Sequence, residues 1–323
     1  HLGRRLGTLA PPVDAHPGSL GRLQATGRRR YRSLVANRPE PEIEITQPLV
    51  RALLRDQCPA LADLPLRELS RGWDNTNFRL GDDVIVRVPH RQVAAPLVLH
   101  EQSWLPILAA QLDMPIPSPI HAGAPTLDYP WPWSVTPFFA GADAVGHTLN
   151  NPANTATMLG TFFRQLHTTA PTDAPLNKFR GCPLVDRAAS FATNVDRIDS
   201  RFDRDRITAI FETACAIPPS SEHVWLHGDL HIRNMVVDHG ELSAVIDWGD
   251  ICAGDRATDL AGAFMLVPGH IDTVADHAGA DDAAWERARG WAAHFAVVYL
   301  AHSDDDPIME RIGTDLFTTL LAL

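Results

Sequence analysis

The stretch Val224-Trp-Leu-His227-Gly-Asp229-Leu-His231-Ile-Arg-Asn234 carries most of the readable chemistry of this 323-residue chain. It is followed by two short apolar runs, 235–237 and 242–246, around a His239-Gly240 turn, and then by Asp247-Trp248. An apolar strand-like run delivers His227 and Asp229 into a loop, and Asn234 enters a hairpin whose far strand ends at Asp247. A hairpin returns its far end beside its near end. Asn234 and Asp247 should therefore be neighbours, with Asp229 one loop from both. A carboxylate beside an Asn/Asp oxygen pair suits Mg²⁺, a hard cation that takes one or two carboxylates and completes its shell with phosphate oxygens and water. Phosphoryl transfer needs that metal and a carboxylate that positions the attacking hydroxyl.

Working outward, Thr46 and Pro48 are start signals for a helix with a Leu49, Val50, Leu53, Leu54 stripe that ends near Pro59. Short strands are expected at 66–69, 78–80 and 84–88, then a helix holding Val98, Leu99, Trp104, Leu105 and Leu108. Prolines at 115, 117, 119 and 125 exclude a regular helix or a central strand there, and 133–139 reads as an apolar strand. Downstream the pattern is mainly helical: 155–168, 184–194, 207–216, 258–266, 283–301 and 307–320. This predicts an α+β, bilobal fold with a strand-rich N-lobe at 42–139 and a mainly helical C-lobe at 140–323. A disordered basic tail is expected at 1–41.

The run H-G-D-L-H-x-x-N, the hairpin, I-D-W and then Gly254-Asp255-Arg-Ala-Thr-Asp259-Leu-Ala resemble the aminoglycoside phosphotransferase family, a branch of the protein-kinase-like fold. Further matching pieces are Ser70-Arg-Gly72-Trp-Asp-Asn75-Thr76-Asn-Phe78, the strand around Arg87, and 159–167; the resemblance covers roughly 45–265. It implies Asp229 as the catalytic aspartate and Asn234 and Asp247 as Mg²⁺ ligands. Backbone amides around Asn75 and Thr76 would hold the phosphates of ATP or GTP. Phe138 and Phe139 would lie where the hinge meets the nucleobase. The family's usual strand Lys, paired with a helix Glu, is replaced by Arg87, with Glu101 as its expected partner; Arg presents a forked, permanently charged donor where Lys is a point charge. His227 and Asp259 read as residues that brace the loop, and Trp131 and Trp133 as core.

Composition limits the alternatives. Apolar residues make up 45% and charged residues 21%, which suits a chain with a buried core. Residues 1–38 carry eight Arg against one Asp, and the remainder holds 20 basic and 38 acidic residues, a balance that argues against a nucleic-acid partner. Lys178 is the only lysine, so no G-x-x-x-x-G-K-[ST] loop exists, and G-x-G-x-x-G is absent too. The longest apolar run, 290–303, is short for a membrane span and contains two His, so no membrane partner is expected. Four scattered cysteines without C-x-x-C suggest a reduced, cytoplasmic setting.

The acceptor expected is a hydroxylated small molecule. The span 140–323 has 13 basic and 26 acidic residues, which favours a cationic one such as an aminoglycoside. Macrolides and metabolite hydroxyls stay open. A protein acceptor is disfavoured because 247–259 is too short for a long activation segment. Two readings from other classes remain: a nucleotide-binding pseudo-kinase, and a zinc hydrolase built on His227-x-Asp229-x-His231.

Overall fold

The computed structural model describes residues 39–323; nearly all of the expected 1–41 tail lies outside the described residues. The Thr46 hydroxyl accepts the Leu49 amide at 3.4 Å and starts α1 (Gln47–Gln57), with Val50, Leu53 and Leu54 on its buried face. The strands β1 (Leu66–Arg71), β2 (Asn75–Leu80), β3 (Val84–Pro89), β4 (His121–Gly123) and β5 (Trp133–Pro137) form one antiparallel sheet in the order β1-β2-β3-β5-β4. Helix α2 (Ala95–Ala109) lies between β3 and β4 in the chain. Alternation decides the buried face: Thr76, Phe78 and Leu80 of β2 point inward while their neighbours do not. Phe78, Leu80, Val86, Val88, Trp133 and Val135 then close over α1. Strand β4 sits inside the proline-rich stretch, at the sheet edge, where proline's missing N–H does no harm.

The C-lobe begins with β6 (Ala142–Asp143), α3 (Pro152–Leu166), α4 (Ala188–Val195), α5 (Arg204–Cys215) and β7 (Val224–Leu226). It continues through β8 (Met235–Asp238), β9 (Glu241–Val245), β10 (Cys252–Gly254), α6 (Ala257–Leu260), α7 (Ala263–Leu266), α8 (Ile271–Ala278), α9 (Asp282–Ala301) and α10 (Pro307–Ala322). The helix expected at 258–266 is two short helices, and the one expected at 184–194 opens with a 3-10 turn, Leu184–Arg187. Helix α9 is apolar nearly all round because it is packed on several sides, by α10, α5, α6 and α4. Leu105, Leu108, Leu112, Met114 and Ile116 also join this larger core, so the end of α2 and the segment after it pack with the helical lobe.

His294 on α9 is buried among Phe191, Phe211, Trp291 and Phe295. Burial, with help from Arg187 and Arg180, pushes its pKa down from 6.5 to about 3. The unfolded chain therefore binds a proton that the folded chain refuses, and stability is lost as pH falls from 6.5 toward about 3. We expect His294→Phe to lose stability less steeply between pH 7 and 5 than the parent chain, by about 1.4 kcal/mol per pH unit below the unfolded pKa. Urea midpoints at several pH values test this; parallel curves would refute it.

Candidate active site

Strand β7 leads into a loop held by a buried acid. The carboxylate of Asp259, on α6, accepts the amides of His227 at 2.7 Å and Gly228 at 2.9 Å, and lies 3.5 Å from the His167 imidazole. His227 is fully buried; its Nε2 is 2.9 Å from the Ile246 carbonyl, and its Nδ1 accepts the Asp229 amide at 3.2 Å. Both ring nitrogens thus serve backbone, which fits a bracing residue and leaves none for a metal. Gly228 has φ +87, and a Cβ there would lie 2.4 Å from the Asp250 carbonyl oxygen, so glycine is required for the loop to approach so closely.

Asp229 is delivered by that loop with about a quarter of its side chain, 26%, exposed. Arg180 donates from Nη2 to its Oδ1 at 3.0 Å, and His231 Nε2 is 3.4 Å from its Oδ2. Burial alone would raise the pKa of this carboxyl, but His231 and Arg180 outweigh it and hold it well below the usual carboxylate range. It is ionised at neutral pH. An ionised carboxylate can accept a hydrogen bond from a hydroxyl and orient it.

The hairpin brings Asn234 and Asp247, the two expected oxygen donors, toward each other through register. Met235 pairs with Val245, and the Ile246 amide donates to the Asn234 carbonyl at 2.8 Å. The Asn234 side-chain amide donates to the Asp229 carbonyl at 2.9 Å, which leaves its Oδ1 to bind elsewhere. Asp247 has a left-handed backbone, φ 62, and a side chain 62% exposed. An amide oxygen and an accessible carboxylate form a hard donor set that fits Mg²⁺. Among the described residues, no three His, Cys, Asp or Glu side chains gather as a cation site, so the zinc alternative finds no ligand set.

On the sheet side, Arg87 donates to Glu101 at 2.8 Å and to Asp247 at 3.3 Å. The ion pair expected between β3 and α2 is thus formed, and the forked head of Arg87 also spans to Asp247. Thr76 is turned elsewhere: its hydroxyl is 3.2 Å from His90 Nδ1 and fully buried. Asn75 accepts the Gly72 amide at its carbonyl, 2.8 Å, and its side-chain oxygen is buried with no hydrogen-bond partner among the described residues. The loop tip is Gly72-Trp73-Asp74, where the Asp74 carbonyl takes the His90 amide at 2.8 Å and its carboxylate takes Arg91 at 2.9 Å. Phe138 lies beneath the Arg79 guanidinium, 3.1 Å from carbon to ring centroid, and its amide donates to the Asp83 carbonyl at 2.8 Å. Its ring and N–H are therefore both occupied on the β2–β3 turn. Phe139 is half-buried just beyond.

Sequence reasoning missed two charged groups. Arg180 lies in no motif, and its contact with Asp229 spans 49 residues. Arg287 of α9 makes a buried fork to Asp255, at 2.6 and 3.2 Å. Neither pairing leaves a local signal. No described helix is long and apolar enough to cross a membrane.

An antiparallel sheet over a helical lobe, with an acid loop, an Asn/Asp hairpin pair and a strand cation tied to a helix acid, defines a kinase-like phosphotransferase framework. The chain belongs to the phosphotransferase enzyme family (APH), whose sequence model matches residues 65–291. A 114-residue stretch is 32% identical to an aminoglycoside 3'-phosphotransferase of Salmonella typhimurium; the match covers 33% of this chain and 41% of that relative. Solved structures share the fold. The GDP complex of aminoglycoside 2'-phosphotransferase-IIIa superposes with a TM-score of 0.64 at 19% identity, over 84% of this chain and 97% of that one. Macrolide 2'-phosphotransferase MphH from Brachybacterium faecium gives 0.56 at 20%, over 83% and 97%.

Proposed function

We propose that this protein transfers the γ-phosphoryl group of ATP or GTP, with Mg²⁺, to a hydroxyl of a small molecule, an antibiotic such as an aminoglycoside being the leading acceptor. Residues 42–139 act as the nucleotide-gripping lobe and 140–323 as the catalytic and acceptor lobe. The observation that carries this reading is that the Asp229 loop holds the Asn234 side-chain amide at its carbonyl, while the hairpin that starts at Asn234 returns beside it, Ile246 to Asn234, one residue before Asp247. Asp229 accepts a hydrogen bond from the acceptor hydroxyl and aims its oxygen at the phosphorus. Asn234 and Asp247 would hold Mg²⁺, which supplies charge neutralisation along the phosphates. Arg87, fixed by Glu101, presents donors to phosphate oxygens, and Phe139 and the backbone near Phe138 border the base. Asn75 and Thr76 contribute through the β1–β2 turn they close. The four unpaired cysteines suit a reducing, cytoplasmic setting.

The acidic C-lobe supports a cationic acceptor, and the fold likeness to a macrolide enzyme keeps macrolides next in line. A complete set of Asp229, Asn234 and Asp247 argues against a pseudo-kinase. Incubation with ATP or GTP, Mg²⁺ and a mixed library of hydroxylated antibiotics, read by mass spectrometry, tests the reading. A product heavier by one phosphate and dependent on Mg²⁺ is expected; nucleotide binding with no product from any acceptor would overturn it.

Arg87→Ala is expected to weaken nucleotide affinity about tenfold or more by calorimetry, since it removes a charge-assisted donor pair. An unchanged Kd would leave Arg87 only a structural partner of Glu101.

A further inference from the structure

Arg180 bonds directly to the proposed catalytic aspartate and has no role in the reading above. Its Nη2 holds Oδ1 of Asp229 at 3.0 Å, while its Nε is buried with no hydrogen-bond partner among the described residues. The guanidinium carbon lies 5.3 Å from the centre of the Phe295 ring of α9. The segment carrying it is pinned on both sides. The Gly181 amide donates to Thr258 Oγ1 at 3.0 Å, the Gly181 carbonyl takes the Asp255 amide at 2.9 Å, and the Pro175 carbonyl takes the Ala253 amide at 2.8 Å. Gly181 itself has φ +65, and a Cβ there would sit 2.5 Å from Leu226. Arg180 is therefore a cation fixed against the Asp229 carboxylate.

The same segment contrasts with the acidic lobe around it. It carries Lys178, Arg180 and Arg187 against Asp186, and exposes Leu176 and Phe179. The nearby carboxylate Asp250 is engaged by the Asn177 side-chain amide at 2.6 Å. Distant parts of the lobe can attract ammonium groups, but an ammonium directly beside the reacting hydroxyl would meet the guanidinium.

We propose that Arg180 is a specificity-determining residue of the acceptor site, selecting a reacting hydroxyl flanked by oxygen functions (hydroxyl, ether or carboxylate) over one flanked by an ammonium group. This rests on the reading of Asp229 as the catalytic acid. Oδ1 of Asp229 stays with Arg180, and the hydroxyl comes to Oδ2, whose other neighbour is His231 Nε2 at 3.4 Å. Nε is enclosed, but the Arg180 side chain is 23% exposed, and the open part of its guanidinium lies against that carboxylate, where it can donate to an acceptor oxygen and repel a cation.

The test uses the parent chain, Arg180→Met, Arg180→Lys and Asp229→Asn with ATP and Mg²⁺. The acceptors are aminoglycoside pairs that differ only by hydroxyl or amine at one ring carbon, with NMR locating the phosphate. We expect the parent chain to favour the hydroxyl member by about tenfold or more in kcat/KM whenever the exchanged carbon adjoins the reacting one. That preference should shrink about tenfold in Arg180→Met and survive in Arg180→Lys. Binding of gluconate and of glucosamine, measured by calorimetry with a non-hydrolysable ATP analogue, gives a readout that needs no turnover: Arg180→Met should shift their affinity ratio toward glucosamine. A kcat/KM preference or a binding ratio unchanged in Arg180→Met, or a phosphate placed beside an ammonium by the parent chain, overturns the proposal. Turnover that persists in Asp229→Asn would overturn the catalytic reading as well, whereas a silent Asp229→Asn with an unchanged Arg180→Met preference overturns the present inference alone.

Discussion

Asp229→Asn is expected to lower kcat by on the order of 10²-fold or more while nucleotide affinity stays close to that of the parent chain. The substitution keeps the side chain's shape and one oxygen but removes the negative charge. A neutral amide accepts the hydroxyl's hydrogen bond weakly and cannot take up its proton as the oxygen attacks. Nucleotide binding should survive because Arg87, the group proposed to grip the phosphates, bonds to Glu101 and Asp247 and not to Asp229. The exchange also deprives Arg180 of its ionic partner, so a thermal unfolding curve belongs beside the kinetics. A stable variant with unchanged kcat would remove Asp229 from the chemistry, and the functional reading with it.

Arg287→Met should destabilise the chain by about 3–5 kcal/mol, because it strands the buried Asp255 carboxylate. Both partners are almost fully enclosed, with side chains 7% and 4% exposed. Arg287 forks onto both carboxylate oxygens and also donates to the Pro218 carbonyl at 3.1 Å. Asp255 further accepts the Ala257 amide at 3.1 Å, so the pair ties the start of α6 to the central helix α9. Urea unfolding should show a lower midpoint with an unchanged slope. Adding Asp255→Asn should recover part of the loss, since the double variant buries no lone charge. A loss below about 1 kcal/mol would mean that water reaches the carboxylate and the pair behaves like one at the surface.

What could be read from the sequence, and what could not, divides by range. The β8–β9 hairpin was legible because His239 and Gly240, with φ 49 and 78, make a two-residue turn between alternating apolar runs, and that fixes Asn234 near Asp247. Thr46 announced α1 because a cap acts within one turn. Strands β4 and β10 have three residues each, too few for alternation to show. The direction of the Phe138 ring depends on where β5 ends and on a contact with Arg79, 59 positions away. A one-residue step in a strand reverses the face, so composition could not decide it. Arg180 with Asp229 and Arg287 with Asp255 meet only after the helical lobe has closed, 49 and 32 residues apart.

In the proposed reaction Asp247 answers to two unrelated demands at once. Its backbone sits at φ 62, where glycine, asparagine and aspartate are the residues at ease. Glycine brings no oxygen, and asparagine brings one without charge. Of the twenty amino acids, aspartate alone satisfies both the bend of the main chain and the need for an anionic donor, so the vocabulary open to this position shrinks to a single word.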